Sequence, residues 1–196
     1  MSFDLATLRR SLRRQRRQVS VYQQRQSEQQ VLHQLKQLPA FKAAQHIGIY
    51  LDAFGEIHTK KIIQLCFQLQ KNVYLPRICA MNQHLYWVRI SANQLHARRF
   101  YLHRLGMFEP MQSRGKLVHQ LDLLIMPLLA CDATGTRLGM GGGYYDKTLS
   151  RAVTQPFRLG LAHEFQFIAD KLARQAWDQP LDALLTPKKI RHFQRL

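Results

Sequence analysis

Between Leu123 and Leu149 the chain reads LLIMPLLACDATGTRLGMGGGYYDKTL, and this stretch restricts the possible folds more than any other. From Leu123 to Leu129 every side chain is apolar. That is the pattern of a strand buried on both faces, as in a largely parallel sheet covered by helices. The polar turn Asp132-Ala133-Thr134-Gly135-Thr136 ends the run, and helical character begins at Tyr144. Between them Gly139, Gly141, Gly142 and Gly143 remove four side chains from five positions. Backbone N–H groups can then approach a ligand closely from the start of a helix, a geometry suited to phosphate. A glycine-rich turn also serves as a flexible loop or a tight packing site. The neighbours favour an anion, because Arg137 precedes the glycines and Asp146 and Lys147 follow them. Neither common phosphate motif fits: the P-loop needs Gly where Asp146 stands, and the third glycine of the dinucleotide fingerprint falls on Tyr144.

The rest of the chain alternates helix and strand signals. Residues 5–19 place Leu5, Leu8, Leu12 and Val19 near one stripe beside Arg9, Arg13, Arg16 and Arg17, which predicts an amphipathic basic helix. A second helix is expected over Gln23 to Leu38, a short strand over His46 to Leu51, and a helix over Thr59 to Leu69. Asn72 to Ile78 and His84 to Ile90 read as strands joined by a Cys-Ala-Met-Asn turn, and residues 91–120 as an irregular, basic, solvated stretch. Phe157 to Ala162 predicts a strand, His163-Glu164 a turn, Ile168 to Ala176 a helix, and Ala183 to Thr186 a final strand. This alternation predicts a three-layer α/β/α fold with a mixed, mostly parallel central sheet, in one domain spanning residues 1–196.

Composition narrows the function classes. Three cysteines, Cys66, Cys79 and Cys131, without C-x-x-C spacing argue against a disulfide framework or a zinc site and for a reducing compartment. His163-Glu164 does not continue as a zinc-protease motif, since Phe occupies position 167. No apolar run is long enough for a membrane span and the start of the chain lacks a signal-peptide core, so a cytoplasmic protein is expected. The net charge of +17 is compatible with a solvated surface, a nucleic-acid or membrane contact, or arginines turned toward a phosphorylated ligand. Glu56 follows a strand's carboxyl end, where ligands collect in open α/β sheets, although it could also simply favour the dipole of the next helix. Asp182 reads by itself as a turn or cap residue at the last strand.

The run Gly135-x-Arg137-Leu138-Gly139-x-Gly141-Gly142-Gly143-Tyr144-Tyr145-Asp146, after a strand ending Met126-Pro127-Leu128-Leu129, resembles the signature of the 5-formyltetrahydrofolate cyclo-ligase (5,10-methenyltetrahydrofolate synthetase) family. The resemblance extends to Arg9-Arg10-Ser11-Leu12-Arg13, Ile47-Gly48-Ile49-Tyr50-Leu51, Glu56-Ile57, Tyr74-Leu75-Pro76-Arg77, Glu109-Pro110 and Leu181-Asp182, nearly the whole chain. It implies an enzyme that uses ATP and Mg²⁺ to convert 5-formyltetrahydrofolate to 5,10-methenyltetrahydrofolate. The N5-formyl group is an amide whose oxygen leaves poorly. Phosphorylating that oxygen lets N10 close the ring with loss of phosphate.

By the same resemblance ATP is held by Arg9, Arg10, Ser11, Leu12 and Arg13 and by Arg137, Leu138, Gly139, Met140, Gly141, Gly142, Gly143, Tyr144 and Tyr145. Arg13, Leu51, Glu56 and Tyr145 face the folate, Arg137 and Tyr145 are the catalytic candidates, and Asp146 and Asp182 hold Mg²⁺. The chain departs from the family pattern in carrying Arg9 where Lys is common, and uncharged Met140 and Gly142 where some members are basic. Phosphate neutralisation is thereby expected to lean on Arg137, Lys147 and the N-terminal arginines. A monomer without membrane or nucleic-acid partners is expected. Two rival classes are a basic nucleic-acid-binding module, which predicts steep salt dependence, and a CoA-transferase-like or sugar-phosphate enzyme, which predicts turnover without ATP.

Overall fold

The computed structural model describes residues 4–112, 114–152 and 154–194. In chain order its elements are α1 (Leu5–Gln18), α2 (Val21–Leu35), α3 (Pro39–Ala43), β1 (His46–Gly48), α4 (Lys60–Gln68), β2 (Asn72–Ile78), β3 (Leu85–Ile90) and α5 (Ala92–His96). They continue with β4 (Phe100–Leu102), β5 (Phe108–Pro110), β6 (Leu123–Pro127), β7 (Ala130–Cys131), β8 (Arg137–Leu138), α6 (Tyr144–Leu149), β9 (Phe157–Leu161), β10 (Ala183–Leu185) and β11 (Ile190–His192).

A seven-stranded sheet has the order β11-β10-β9-β6-β1-β2-β3. The inner pairs β9–β10, β6–β9, β1–β6 and β1–β2 are parallel, while β3 and β11 close the two edges antiparallel. The sheet is therefore mixed and mostly parallel, as the alternation of elements predicts. Strand periodicity divides β6 between two cores. Leu123 and Ile125 join Ile47, Ile49, Val73 and Leu75 beneath Val31 and Leu35 of α2, Phe41 of α3 and Ile62 and Ile63 of α4. Leu124 and Met126 face the other way and pack with Trp87, Leu121, Leu149 and Leu184. This second face is covered by α6, a short 3₁₀ turn at Val118–Gln120 and connecting chain rather than by long helices. Among the described residues no helix is long and apolar enough to cross a membrane.

Several local expectations are corrected. Residues 168–176 form no helix. Their backbone is drawn instead onto the β7–β8 hairpin, where Ile168 N–H donates to the Cys131 carbonyl at 2.9 Å and Leu172 N–H to Asp132 Oδ2 at 2.9 Å. Asp132 is fully buried, and its other oxygen accepts from the N–H groups of Thr134 and Thr136 at 2.8 and 2.9 Å, so one carboxylate organises both turns. The strand at Ala183 is not the last, because β11 turns back against it and is fastened by Arg191, which pairs with Glu164 at 2.5 Å and lies over the Phe167 ring. The stretch 91–120 contains α5 and the β4–β5 hairpin, and α6 is only six residues long.

α1 docks on the loop after β1. Gly55 adopts φ +76°, and a Cβ there would lie 2.5 Å from the Arg16 carbonyl oxygen. Both the left-handed backbone and the close approach require glycine. Gly55→Ala is expected to cost about 2–3 kcal/mol, combining conformational strain with a backbone clash. For a chain of this size that lowers the thermal midpoint by roughly 5–10 °C, measurable by calorimetry, whereas a shift under ~1 °C would contradict this docking.

Candidate active site

The order of the parallel strands creates a switch point. The chain leaves β1 for β2 on one side and later fills the other side with β6, so the connections diverge at the carboxyl ends of β1 and β6. A cleft of about 690 Å³ opens there. Pro127 at the end of β6, Tyr50, Leu51 and Glu56 beyond β1, and Pro76 and Ile78 at the end of β2 line its inner wall. The glycine loop between β8 and α6 forms one end, together with a strip of residues 172–178. Met107, Phe108 and Glu109 of the β4–β5 hairpin close the other.

At the first end α1 grips the glycine loop. Arg9, Arg13 and Arg16 recur at spacings of four and three and therefore share one helical face. Arg9 Nε donates to the Gly139 carbonyl at 3.2 Å, Arg13 Nη2 to the Met140 carbonyl at 3.1 Å, and Arg16 Nη2 approaches Met140 Sδ at 3.8 Å. Gly141 and Gly143 have φ +107° and +66°, and a Cβ on Gly141 would meet nothing within 4 Å, so that residue borders open space. Gly142 lacks such a φ, and a Cβ there would lie 2.6 Å from the Tyr144 ring, so a larger residue would have to displace that ring. Behind the loop Arg137 Nη2 pairs with Asp146 Oδ1 at 2.6 Å, while the Gln179 N–H donates to the same oxygen at 3.2 Å. The Arg137 guanidinium also lies 5.6 Å from the centre of the Tyr145 ring. The Nε atoms of Arg13, Arg16 and Arg137 are buried without hydrogen-bond partners, which leaves cationic donors concentrated around the loop. Buried donors of that kind fit a phosphate better than a neutral ligand.

The second end is mostly apolar around two carboxylates, Glu56 and Glu109. Glu56 Oε1 accepts from Arg16 Nη1 at 3.3 Å and Oε2 from the Ala53 N–H at 3.0 Å, while Gln24 donates to the Glu56 backbone carbonyl. Burial raises the Glu56 carboxyl to about 7, outweighing the Ala53 N–H and the Arg16 charge, which both pull it down. Burial likewise pushes the phenols of Tyr145 and Tyr50 upward, so both remain protonated donors near neutral pH. Glu109 is buried and accepts from the Ile78 N–H at 3.2 Å, which ties the β4–β5 hairpin to the end of β2.

Of the residues singled out in the sequence, Arg9, Leu51, Glu56 and the continuous run Arg137 to Asp146 line this one cleft. Arg13 reaches the loop through Met140 without lining the cavity, Arg10 and Ser11 are exposed, and Leu12 packs with Leu129, Ala130 and Leu138. Asp182 is placed elsewhere. It stands at the amino end of β10, opposite the cleft, where its Oδ2 accepts from the Arg158 N–H at 2.7 Å and its own N–H donates to the Arg158 carbonyl. Asp146 lines the cleft and Asp182 does not. The cleft also contains residues not singled out in the sequence: Tyr50, the lip at Met107 and Phe108, and the strip around Trp177. Arg16 was legible as the next turn of the Arg9 and Arg13 face. The strip was not, since its residues carry helical spacing without becoming a helix.

A sequence profile of the 5-formyltetrahydrofolate cyclo-ligase family matches residues 3–187. The 5-formyltetrahydrofolate cyclo-ligase of Escherichia coli strain K12 is 34% identical over 184 residues, covering 91% of this chain and 98% of that protein. The protein of the same name from Haemophilus influenzae is 35% identical over 183 residues, covering 91% and 95%. Among solved structures, 5,10-methenyltetrahydrofolate synthetase from Aquifex aeolicus superposes with a TM-score of 0.82 at 27% identity, covering 99% of this chain and 95% of its own.

The Glu56 carboxyl gives a prediction independent of any ligand. It binds its proton more tightly in the folded chain, at about 7, than at its ordinary value of 4.5. The folded state therefore holds more protons between those values, and Glu56 subtracts stability as pH rises from about 5 to about 7, by up to ~3 kcal/mol. Glu56→Gln removes that slope. The loss of the Arg16 partner offsets the variant's stability at all these pH values, so the slope is the readout. Denaturant unfolding at pH 5, 6, 7 and 8 should show wild-type stability falling relative to the variant across that interval. Parallel curves would contradict the burial of this carboxyl.

Proposed function

The chain belongs to the 5-formyltetrahydrofolate cyclo-ligase family, and on that premise we propose that the cleft takes ATP at its glycine-loop end and the folate at its Glu56 end. The enzyme is an ATP-dependent ligase that converts 5-formyltetrahydrofolate to 5,10-methenyltetrahydrofolate, releasing ADP and phosphate. The observation carrying the site assignment is the joining of two unlike halves in one cavity. Arginine Nε donors without partners surround a glycine loop at one end, and the carboxylates of Glu56 and Glu109 stand in mostly apolar surroundings at the other.

The chemistry divides accordingly. The formyl oxygen attacks the γ-phosphorus and ADP leaves, forming a C–O–P linkage on the folate. N10 then attacks the formyl carbon, the C–O bond breaks toward phosphate, and the N10 proton is released. The protein's part in the first step is positioning and neutralisation of charge. Arg137, held by Asp146 and lying 5.6 Å from the Tyr145 ring, supplies positive charge beside the loop for the developing phosphoryl charge, and the open side of Gly141 lets the phosphates approach the loop. Arg9 and Arg13 hold the loop's carbonyls back and add positive potential. Glu56, Leu51 and Tyr145 form the wall against which the pterin is held.

Mg²⁺ fits this donor set with Asp146 as its protein carboxylate. Among the described residues no three His, Cys, Asp or Glu side chains cluster as a self-sufficient metal site. An ion that keeps several waters and takes oxygens from ATP needs only one or two carboxylates. Bound beside Asp146, it would supply charge neutralisation at the phosphates. Cys66, Cys79 and Cys131 are all unpaired, which supports a reducing, cytoplasmic setting.

Mixing the purified protein with 5-formyltetrahydrofolate and MgATP should produce the near-ultraviolet absorbance of the methenyl product, with none when any component is omitted. A folded protein that stays silent in the full mixture would end this reading. Asp146→Asn should lower turnover on the order of a hundredfold or more, if about 3 kcal/mol of transition-state stabilisation depends on that carboxylate. Raising Mg²⁺ should restore part of it. Unchanged turnover and unchanged Mg²⁺ dependence, with thermal unfolding checked in parallel, would leave Asp146 as the structural partner of Arg137 alone.

A further inference from the structure

Tyr50 stands two residues beyond β1, on the inner wall of the cleft. Its carbonyl accepts from Thr59 Oγ1 at 2.8 Å, which fixes the backbone, and the residue is only 5% exposed. Its hydroxyl nevertheless has no hydrogen-bond partner. Core packing alone does not explain that atom, since phenylalanine would fill the same space without burying an unsatisfied O–H, and buried polar groups are ordinarily paired. Burial, followed by the charges of Glu56 and Asp52, holds the phenol protonated, so it offers one O–H donor and acceptor lone pairs beside the Glu56 carboxylate.

A reduced pterin carries amino and ring N–H donors next to a ring carbonyl. We propose that Tyr50 is a folate-recognition residue whose O–H donates to that carbonyl, alongside the N–H donors accepted by Glu56. This rests on the assignment of the Glu56 end to the folate. The hydroxyl is assigned to substrate binding rather than to phosphoryl transfer because its electrostatic neighbours are led by Glu56, whereas Arg137 is paired with Asp146 behind the glycine loop.

The test compares wild type with Tyr50→Phe by steady-state kinetics, varying 5-formyltetrahydrofolate and MgATP separately, and by thermal unfolding without ligands. The expected result is a rise of about tenfold in KM for the folate, equivalent to ~1.4 kcal/mol, with KM for ATP unchanged. The ligand-free melting temperature should be unchanged or higher, because the substitution deletes an unmade hydrogen bond and keeps the ring. A lowered melting temperature with unchanged folate KM assigns Tyr50 to packing and overturns the proposal, as does an equal rise in KM for both ligands. A wild type inactive on the folate removes the underlying site assignment and this proposal together. An active wild type matched by Tyr50→Phe removes this proposal alone.

Discussion

A buried ion pair fixes the geometry on which the rest of the cleft depends. The Arg16 side chain is completely inaccessible and meets Glu56 at 3.3 Å, and isolated in such surroundings its charge would cost several kcal/mol. The pair is not a strong source of net stability, but it permits few alternatives, because moving α1 would strand a cation in the protein interior. Three elements are coupled through this one residue. Its guanidinium holds Glu56 on the loop after β1, its Nη2 touches Met140 of the glycine loop, and its carbonyl sits where a side chain on position 55 would have to be. With Arg16 anchored, helical spacing delivers Arg13 and Arg9 to successive carbonyls of the glycine loop.

The central part of this arrangement was legible before any coordinates. β6 is the apolar run that opens the most informative stretch, and its two faces enter two cores as a doubly buried strand requires. The polar turn, the glycine loop and the helix at Tyr144 follow where their residues indicate. Periodicity failed where side chains outside the segment decide the backbone. Residues 168–176 have helical spacing, yet the buried Asp132 carboxylate and the Cys131 carbonyl capture their N–H groups. Asp182 sits between Leu181 and Ala183, which by themselves do not tell one end of a strand from the other, and only the direction of β10 places it at the amino end. The lip formed by Met107 and Phe108 was concealed among basic residues, since neither hairpin strand exceeds three residues.

The positive charge of the chain acquires a local use through the same geometry. α1 turns Arg9, Arg13 and Arg16 toward the loop while Arg10, Arg14 and Arg17 stay exposed. The inward face supplies donors to loop carbonyls and retains the buried Nε atoms of Arg13 and Arg16, whereas the outward face is solvated. Met140 and Gly142 bring no charge of their own. Met140 instead offers its carbonyl to Arg13 and its sulfur to Arg16, so cations from α1 stand beside the loop without belonging to it.

Coupling between the two ends of the cleft follows from what cannot move. Arg16 is immobilised by burial and by the Gly55 contact, so a phosphate group drawn to the glycine loop comes to the arginine cluster rather than pulling it outward. Any anion brought near Arg16 shares with Glu56 the charge that partly offsets that carboxyl's burial. Attraction between Glu56 and Arg16 is weakened by the sharing, and the carboxylate gains more from donors presented by a second ligand than it does in the empty cleft. Tyr145 lies between the two regions, close enough to Arg137 for its ring to support the guanidinium and close enough to Glu56 for that charge to raise its phenol. On the site assignment proposed above, nucleotide at one end and an N–H-rich heterocycle at the other would relieve the same buried electrostatic imbalance through Arg16, which contacts both Glu56 and Met140.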